Sequence, residues 1–263
     1  MGKREIIMSE KEAYEKHVRK LTIGACPQLF CVIETGVGKS GSIFYTLTDA
    51  DTLSLFERLA ASPAIGPNAV YHVRRALSRW SEAATADIVT ISAVRERMIG
   101  GNDAATVYHK FNLGDLRHVE ARSLQASQSC IHGDLHCGNV LVKGSGEAVV
   151  IDFGDADQGF TALDPIALEL SLVFHPDAKK LGLRDTLIGN LDAWPDIDGF
   201  AANSELKPMI VACRDWAHDV GGGDLAVLAA AYAYALRQLK YDTVPPETTI
   251  GFLKKLAARI SAM

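Results

Sequence analysis

The stretch SCIHGDLHCGNVLVKGSGEAVVIDFGDA, residues 129–156, constrains the fold of this 263-residue chain more than any other segment. Short apolar runs alternate there with tight polar loops, and NVLVKGSGEAVVIDF reads as a hairpin of two apolar strands around Gly144-Ser145-Gly146. Asp134 and Asn139 stand five apart on the loop before the hairpin, and Asp152 ends it thirteen residues later. Folding the hairpin back carries the Asp152 carboxylate to Asn139. The two side chains offer hard oxygen ligands, the kind magnesium takes while it keeps waters and bridges phosphates. Asp134, on the same loop, can orient a hydroxyl and take its proton. Phosphoryl transfer passes through a loose transition state, so such positioning, with charge neutralisation, is most of its catalysis. The bland alternative makes Asp134 and Asn139 turn residues and Asp152 a strand-end cap.

The remaining segments predict a mixed chain. SEKEAYEKHVRK (9–20) reads as a polar amphipathic helix with Ser9 as its cap. PQLFCVIE (27–34) and SGSIFYTL (40–47) are rich in β-branched and aromatic residues around a glycine-rich turn, which predicts a second hairpin. TDADTLSLFERLAAS follows as a helix with an Asp/Thr start, and residues 63–125 read as mostly helical, broken near Gly100-Gly101. Beyond Asp164 the pattern is helical to the end, with Gly221-Gly222-Gly223 between two helices. LAVLAAAYAYAL (225–236) is too short to span a bilayer and predicts a buried helix.

TGVGKSGSIFYT (35–46) imitates a phosphate loop in two ways. A Walker A loop needs glycine where Ile33 stands and a helix straight after it, whereas a strand follows here. The kinase-type loop does sit in a hairpin and would use Gly36, Gly38 and Gly41. It works with a lysine on the next strand, and the next lysine after Lys39 is Lys110. A hairpin turn that uses glycines for positive φ is the simpler reading.

Composition narrows the partners. A net charge of -5 gives no basic footprint, so no nucleic-acid partner is expected. No charged n-region and apolar h-region open the chain, and no run is suited to a membrane. Five cysteines, at 26, 31, 130, 137 and 213, form no C-x-x-C pair and read as reduced thiols of a cytoplasmic protein. Eight histidines show no H-E-x-x-H spacing, which sets metalloprotease chemistry aside.

IHGDLHCGNVLV…VVIDFGDA resembles the catalytic and metal-binding segments of aminoglycoside phosphotransferases and choline kinases, within the protein-kinase-like fold. The resemblance implies an α+β, two-lobe chain: a reduced small lobe of helix and hairpin over 1–47, and a mainly helical lobe over 48–263, with the cleft between. It implies transfer of the ATP γ-phosphate, with Mg²⁺, to a hydroxyl of a small molecule. By position, Asp134 would be the base and Asn139 and Asp152 the magnesium ligands. His132 would brace the loop, His136 would be a loop residue, and Asp164 would hydrogen-bond the catalytic-loop backbone. Cys137 stands where this family often has proline.

Further segments, among them EKEAYEKHVRKL and AYAYALRQLKY, resemble the bacterial ternary-complex-associated domains. The helix ahead of the front hairpin would be the kinase αC, with Glu10 or Glu12 as the glutamate that pairs a lysine, or as a solvated face. The strands carrying that lysine and the true glycine loop would precede residue 1, and Lys3 is the nearby candidate. Three readings follow: a fragment of a longer enzyme, a truncated enzyme, or a non-catalytic kinase-like binding module. Asp215 and Asp219 could bind a cationic acceptor or lie on the surface.

Overall fold

β-branched and aromatic residues in LFCVIET and SGSIFY build the sheet at the front of the chain. The computed structural model describes residues 2–21, 26–35, 40–46 and 51–263. β1 (Gly2–Lys3) and β2 (Leu29–Thr35) flank β3 (Ser40–Tyr45), all antiparallel, with a register shift between Leu29 and Cys31. Helix α1 (Arg4–Lys16) packs on this sheet through buried Ile7, Ala13 and Tyr14. The Tyr14 ring lies 5.8 Å from that of Tyr45. Its hydroxyl donates to the Pro27 carbonyl at 3.2 Å and accepts from the Leu29 N–H at 3.1 Å. Ser9 therefore lies inside the helix and does not cap it: Ile7, seven residues before Tyr14, shares the buried face and draws the helix start forward to Arg4.

β4 (Leu53–Ser54) leads into α2 (Leu55–Ala61), whose cap is Ser54 rather than the Asp and Thr residues ahead of it. The Ser54 hydroxyl accepts from the Glu57 N–H, and the Glu57 carboxylate accepts from the Ser54 N–H, a reciprocal capping box. Then come α3 (Gly66–Ala76), α4 (Ser78–Glu82), β5 (Thr85–Thr90), α5 (Ile91–Met98) and α6 (Gly101–Lys110). Strand β5 corrects the mostly helical reading of 63–125. TADIVT is β-branched at four positions but shows no buried/exposed alternation, and it pairs antiparallel with β6 (Ser123–Ile131).

The hairpin read at 139–153 is present as β7 (Val140–Val142) and β8 (Ala148–Val150), with β4 on the outer edge of β7. β9 (Asp157–Phe160) completes a sheet ordered β5-β6-β9. Helix α7 (Leu163–Phe174) is buried along its whole length, including Asp164, Glu169 and Ser171. Buried Glu169 is fully engaged: Arg214 donates to it at 2.7 and 3.0 Å and the Trp194 indole at 2.7 Å. Removing one partner of such a buried pair costs about 3–5 kcal/mol. The short helices α8 (Pro176–Lys180), α9 (Asp185–Ile188) and α10 (Ile197–Phe200) precede three long ones, α11 (Lys207–Gly221), α12 (Asp224–Gln238) and α13 (Pro246–Ala262).

All strand pairs among the described residues are antiparallel and the chain after β9 is helical, an α+β organisation. The Trp80 indole donates to the His17 carbonyl at 3.2 Å and ties the end of the front helix to the helical part. The lobe boundary expected between residues 47 and 48 lies outside the described residues. Among the described residues no helix is long and apolar enough to cross a membrane.

Candidate active site

Strand β6 delivers the chain to His132, and the loop that follows is pinned from below by α7. The two carboxylate oxygens of Asp164 accept the backbone N–H groups of His132 at 2.7 Å and Gly133 at 3.0 Å. Burial raises the Asp164 pKa, while His132 and these two N–H groups pull the other way. Gly133 sits at φ 83°, and a Cβ there would lie 2.6 Å from both Arg97 Nη2 and the Asp155 carbonyl. Only glycine fits. The His132 ring is fully buried, with Nε2 2.9 Å from the Ile151 carbonyl, so Nε2 carries a proton; Nδ1 faces the Asp134 N–H at 3.4 Å.

Asn139 is buried at the start of the hairpin. Its Nδ2 donates to the Asp134 carbonyl at 3.0 Å, and no described group donates to its Oδ1. The hairpin register Val140↔Val150 continues with the Ile151 N–H donating to the Asn139 carbonyl at 3.0 Å. Asp152, at φ 63°, therefore leaves the hairpin beside Asn139, and its carboxylate takes no hydrogen bond from any described residue. Arg97 of α5 fastens the segment after Asp152, donating to the carbonyls of Asp155 at 2.7 Å and Gln158 at 3.0 Å. The Cys137 N–H donates to the Ser171 hydroxyl at 3.2 Å, a bond that proline could not make. Burial pushes the Cys137 thiol up to about 12, so it is inert.

Asp134 meets a residue that the sequence reading missed. Both Nη atoms of Arg237, at the end of α12, donate to Asp134 Oδ1 at 3.0 Å. Oδ2 lies 3.8 Å from His136 Nε2. His136 Nδ1 accepts the Gly138 N–H at 3.1 Å, which places the ring proton of neutral His136 on Nε2, toward Asp134. Burial lowers the His136 pKa to about 4. The ring lies tilted against His175 at 4.6 Å, and His175 stacks on Phe56 at 4.8 Å. Asp215 and Asp219 are elsewhere: Asp215 is exposed, and Asp219 pairs with Arg74 at 2.8 Å.

The front of the chain reaches the same region through Glu10. The Tyr45 hydroxyl donates to Glu10 Oε1 at 2.6 Å. Burial, that bond and the charge of nearby Asp152 all raise the Tyr45 pKa. Glu12 instead lines a separate polar cleft with Lys16 and Arg97. The Lys3 side chain, the turn at 36–39 and the segment 47–50 lie outside the described residues. The structure thus brings Asp134, Asn139, Asp152, His132, His136 and Asp164 to one end of β6–β8, with Glu10 approaching through Tyr45.

A profile of the phosphotransferase enzyme family (APH) matches residues 16–179, more than half of the chain. The chain belongs to that family. The matched segment holds Asp134, Asn139, Asp152 and Asp164, while Glu10 and Arg237 lie outside it. With this membership the α+β organisation is that of a kinase-like chain. Among solved structures, a glucosamine kinase (crystal form B) aligns with a TM-score of 0.48 and 16% identity, over 100% of this chain and 69% of its own. A glucosamine kinase in complex with glucosamine, ADP and inorganic phosphate gives 0.48 and 14%, over 100% and 72%. The choline kinase LicA from Streptococcus pneumoniae gives 0.38 and 8%, over 100% and 82%. No curated protein matches the chain.

Proposed function

We propose that this phosphotransferase-family chain moves the γ-phosphoryl group of ATP, with Mg²⁺, to a hydroxyl of a small molecule. The observation that carries the reading is the common anchoring of three oxygen donors. The Asn139 amide is tied to the backbone of Asp134, and the hairpin ladder sets Asp152 beside Asn139. The donor set fits magnesium, because Asn139 Oδ1 and the Asp152 carboxylate are hard oxygens that no described residue engages. Among the described residues no three His, Cys, Asp or Glu side chains converge on a metal, so an ion held here would share oxygens with substrate phosphates. Such an ion supplies positive charge where the transition state spreads negative charge over phosphate oxygens.

The chain's own residues then divide the work. Asp134 orients the acceptor hydroxyl and takes its proton on Oδ2, while Arg237 holds Oδ1. The acceptor oxygen bonds to the γ-phosphorus as the bond to the β,γ-bridging oxygen breaks, and ADP leaves with that electron pair. Asp164 and His132 keep the loop in register, and Glu10 with Tyr45 holds the front hairpin toward Asp152. In this reading residues 1–47 and 48–263 form two lobes that close on the nucleotide.

One observation favours a second reading, a non-catalytic kinase-like binding module: Arg237 already occupies one oxygen of the would-be base. Calorimetric titration of ATP with and without magnesium, followed by ³¹P NMR with a panel of hydroxyl acceptors, separates the two. Magnesium-dependent binding lost in Asp152→Ala, with a new phosphoester signal, supports the enzyme. Binding without turnover across the panel favours the module. A folded wild type that binds no ATP would overturn the enzyme reading and leave a partner-binding module or a fragment of a longer enzyme.

A further inference from the structure

A cavity of about 270 Å³ opens beside Asp134, walled by His136, His175, Tyr234, Arg237, Tyr241 and Thr243. Its lining holds one permanent cation, Arg237, and one carboxylate, Asp134, already bonded to each other. His136, with a pKa of about 4, and His175, also lowered by burial, are neutral near pH 7 and add no charge. An acceptor bearing an ammonium group would meet the Arg237 guanidinium and, in the lining, no carboxylate besides Asp134.

The lining is instead rich in donors. Arg237 uses two of its five N–H groups on a single oxygen of Asp134, so others remain for a ligand. Thr243 lies on the same wall, and its hydroxyl, closed off from solvent, has no hydrogen-bond partner among the described residues. A buried orphan hydroxyl costs stability unless a ligand pairs it.

We propose that this cavity takes a small hydroxy acid, its carboxylate on Arg237 and its hydroxyl at Asp134. The naming of this compound as phosphoryl acceptor rests on the phosphotransferase reading; the preference for an anion is a property of the cavity alone. A guanidinium suits the carboxylate geometrically, and its bonds to an ionised acceptor are about twice as strong as neutral ones.

The test uses three probes that share a vicinal diol and differ in the charge at one end: glycerate, glycerol and 3-aminopropane-1,2-diol. Their affinities for the full chain are measured by saturation-transfer NMR. Glycerate is expected to bind roughly tenfold tighter than glycerol, a difference of about 1.4 kcal/mol, with the amine weakest. Arg237→Gln should erase the order, and Arg237→Lys should keep it in reduced form. Glycerol or the amine binding as well as glycerate, or none of the three binding to folded wild type, would overturn the proposal. Magnesium–ATP titration of the same samples is read separately. A glycerate preference without ATP binding would sink the phosphotransferase reading and leave the anion cavity, and ATP binding without an anion preference would do the reverse.

Discussion

From His132 to Asn139 the polar groups other than the Asp134 carboxylate bond backbone: Asp164 to two N–H groups, His132 to Ile151, Asn139 to the carbonyl of Asp134. The front sheet is held otherwise. Phe30 is 76% exposed there, with Ile33 and Phe44 near half, and its tie toward the site is a side-chain pair, Tyr45 to Glu10. A side chain bonded to backbone fixes where the chain itself runs, so reacting atoms are set by the fold. A side-chain pair on a half-exposed sheet fixes only a local approach. Mutations in the loop should therefore act on the whole molecule or on turnover, and mutations in the front should act locally.

The largest effect should come from Asp134→Asn. Phosphotransfer is expected to fall by about 10³-fold with little change in melting temperature, measured by coupled ADP release beside a thermal melt. A parallel collapse of the melt would instead make Asp134 structural. Asp164→Ala leaves the N–H groups of His132 and Gly133 without acceptors and should destabilise by about 3 kcal/mol in denaturant titration. Gly133→Ala should cost about 2–3 kcal/mol, because φ 83° and the contacts to Arg97 and Asp155 leave a side chain no room.

The pH dependence sharpens the same contrast. Burial lowers the folded pKa of His136 to about 4 from an ordinary 6.5, against the charge of Asp134, which pulls it up. Between those values the unfolded chain binds more protons, so the contribution of His136 is full above pH 6.5 and is lost as pH falls toward 4. The slope from this one group is at most about 1.4 kcal/mol per pH unit. His136→Asn should flatten the stability curve over that window, and an unchanged curve would mean that His136 titrates normally. The smallest change expected is in the front: Tyr45→Phe should cost about 1 kcal/mol. Hydrogen exchange should then quicken in α1 and β3 and stay unchanged in β6 and β9.

Much of the local architecture was legible. The β7–β8 hairpin announces itself by two apolar runs around Gly144-Ser145-Gly146, and the front hairpin by its β-branched and aromatic residues. α12 was readable as a buried helix from its apolar run alone, and Ala226–Leu236 are buried. The start of α1 was misread because the polar residues after Ser9 look like a helix opening, while the burial of Ile7 decides it. β5 escaped notice since its strand state belongs to its pairing with β6.

The site divides in the same way. Asp134, Asn139 and Asp152 lie within nineteen residues, so turn chemistry and one hairpin suffice to bring them together. Arg237 gave only a faint signal, a charge standing directly after a long buried run, and it reaches Asp134 across 103 residues. Arg97 against Gly133 and Tyr45 against Glu10 had none. The sequence by itself determined strands, helices and the short-range cluster of oxygen donors, because periodicity and turn residues act over a few positions. Only the tertiary structure decided what faces Asp134 and therefore which charge an acceptor would meet. That choice depends on how α7, α11 and α12 pack, and packing brings polar groups together at separations that no local pattern records.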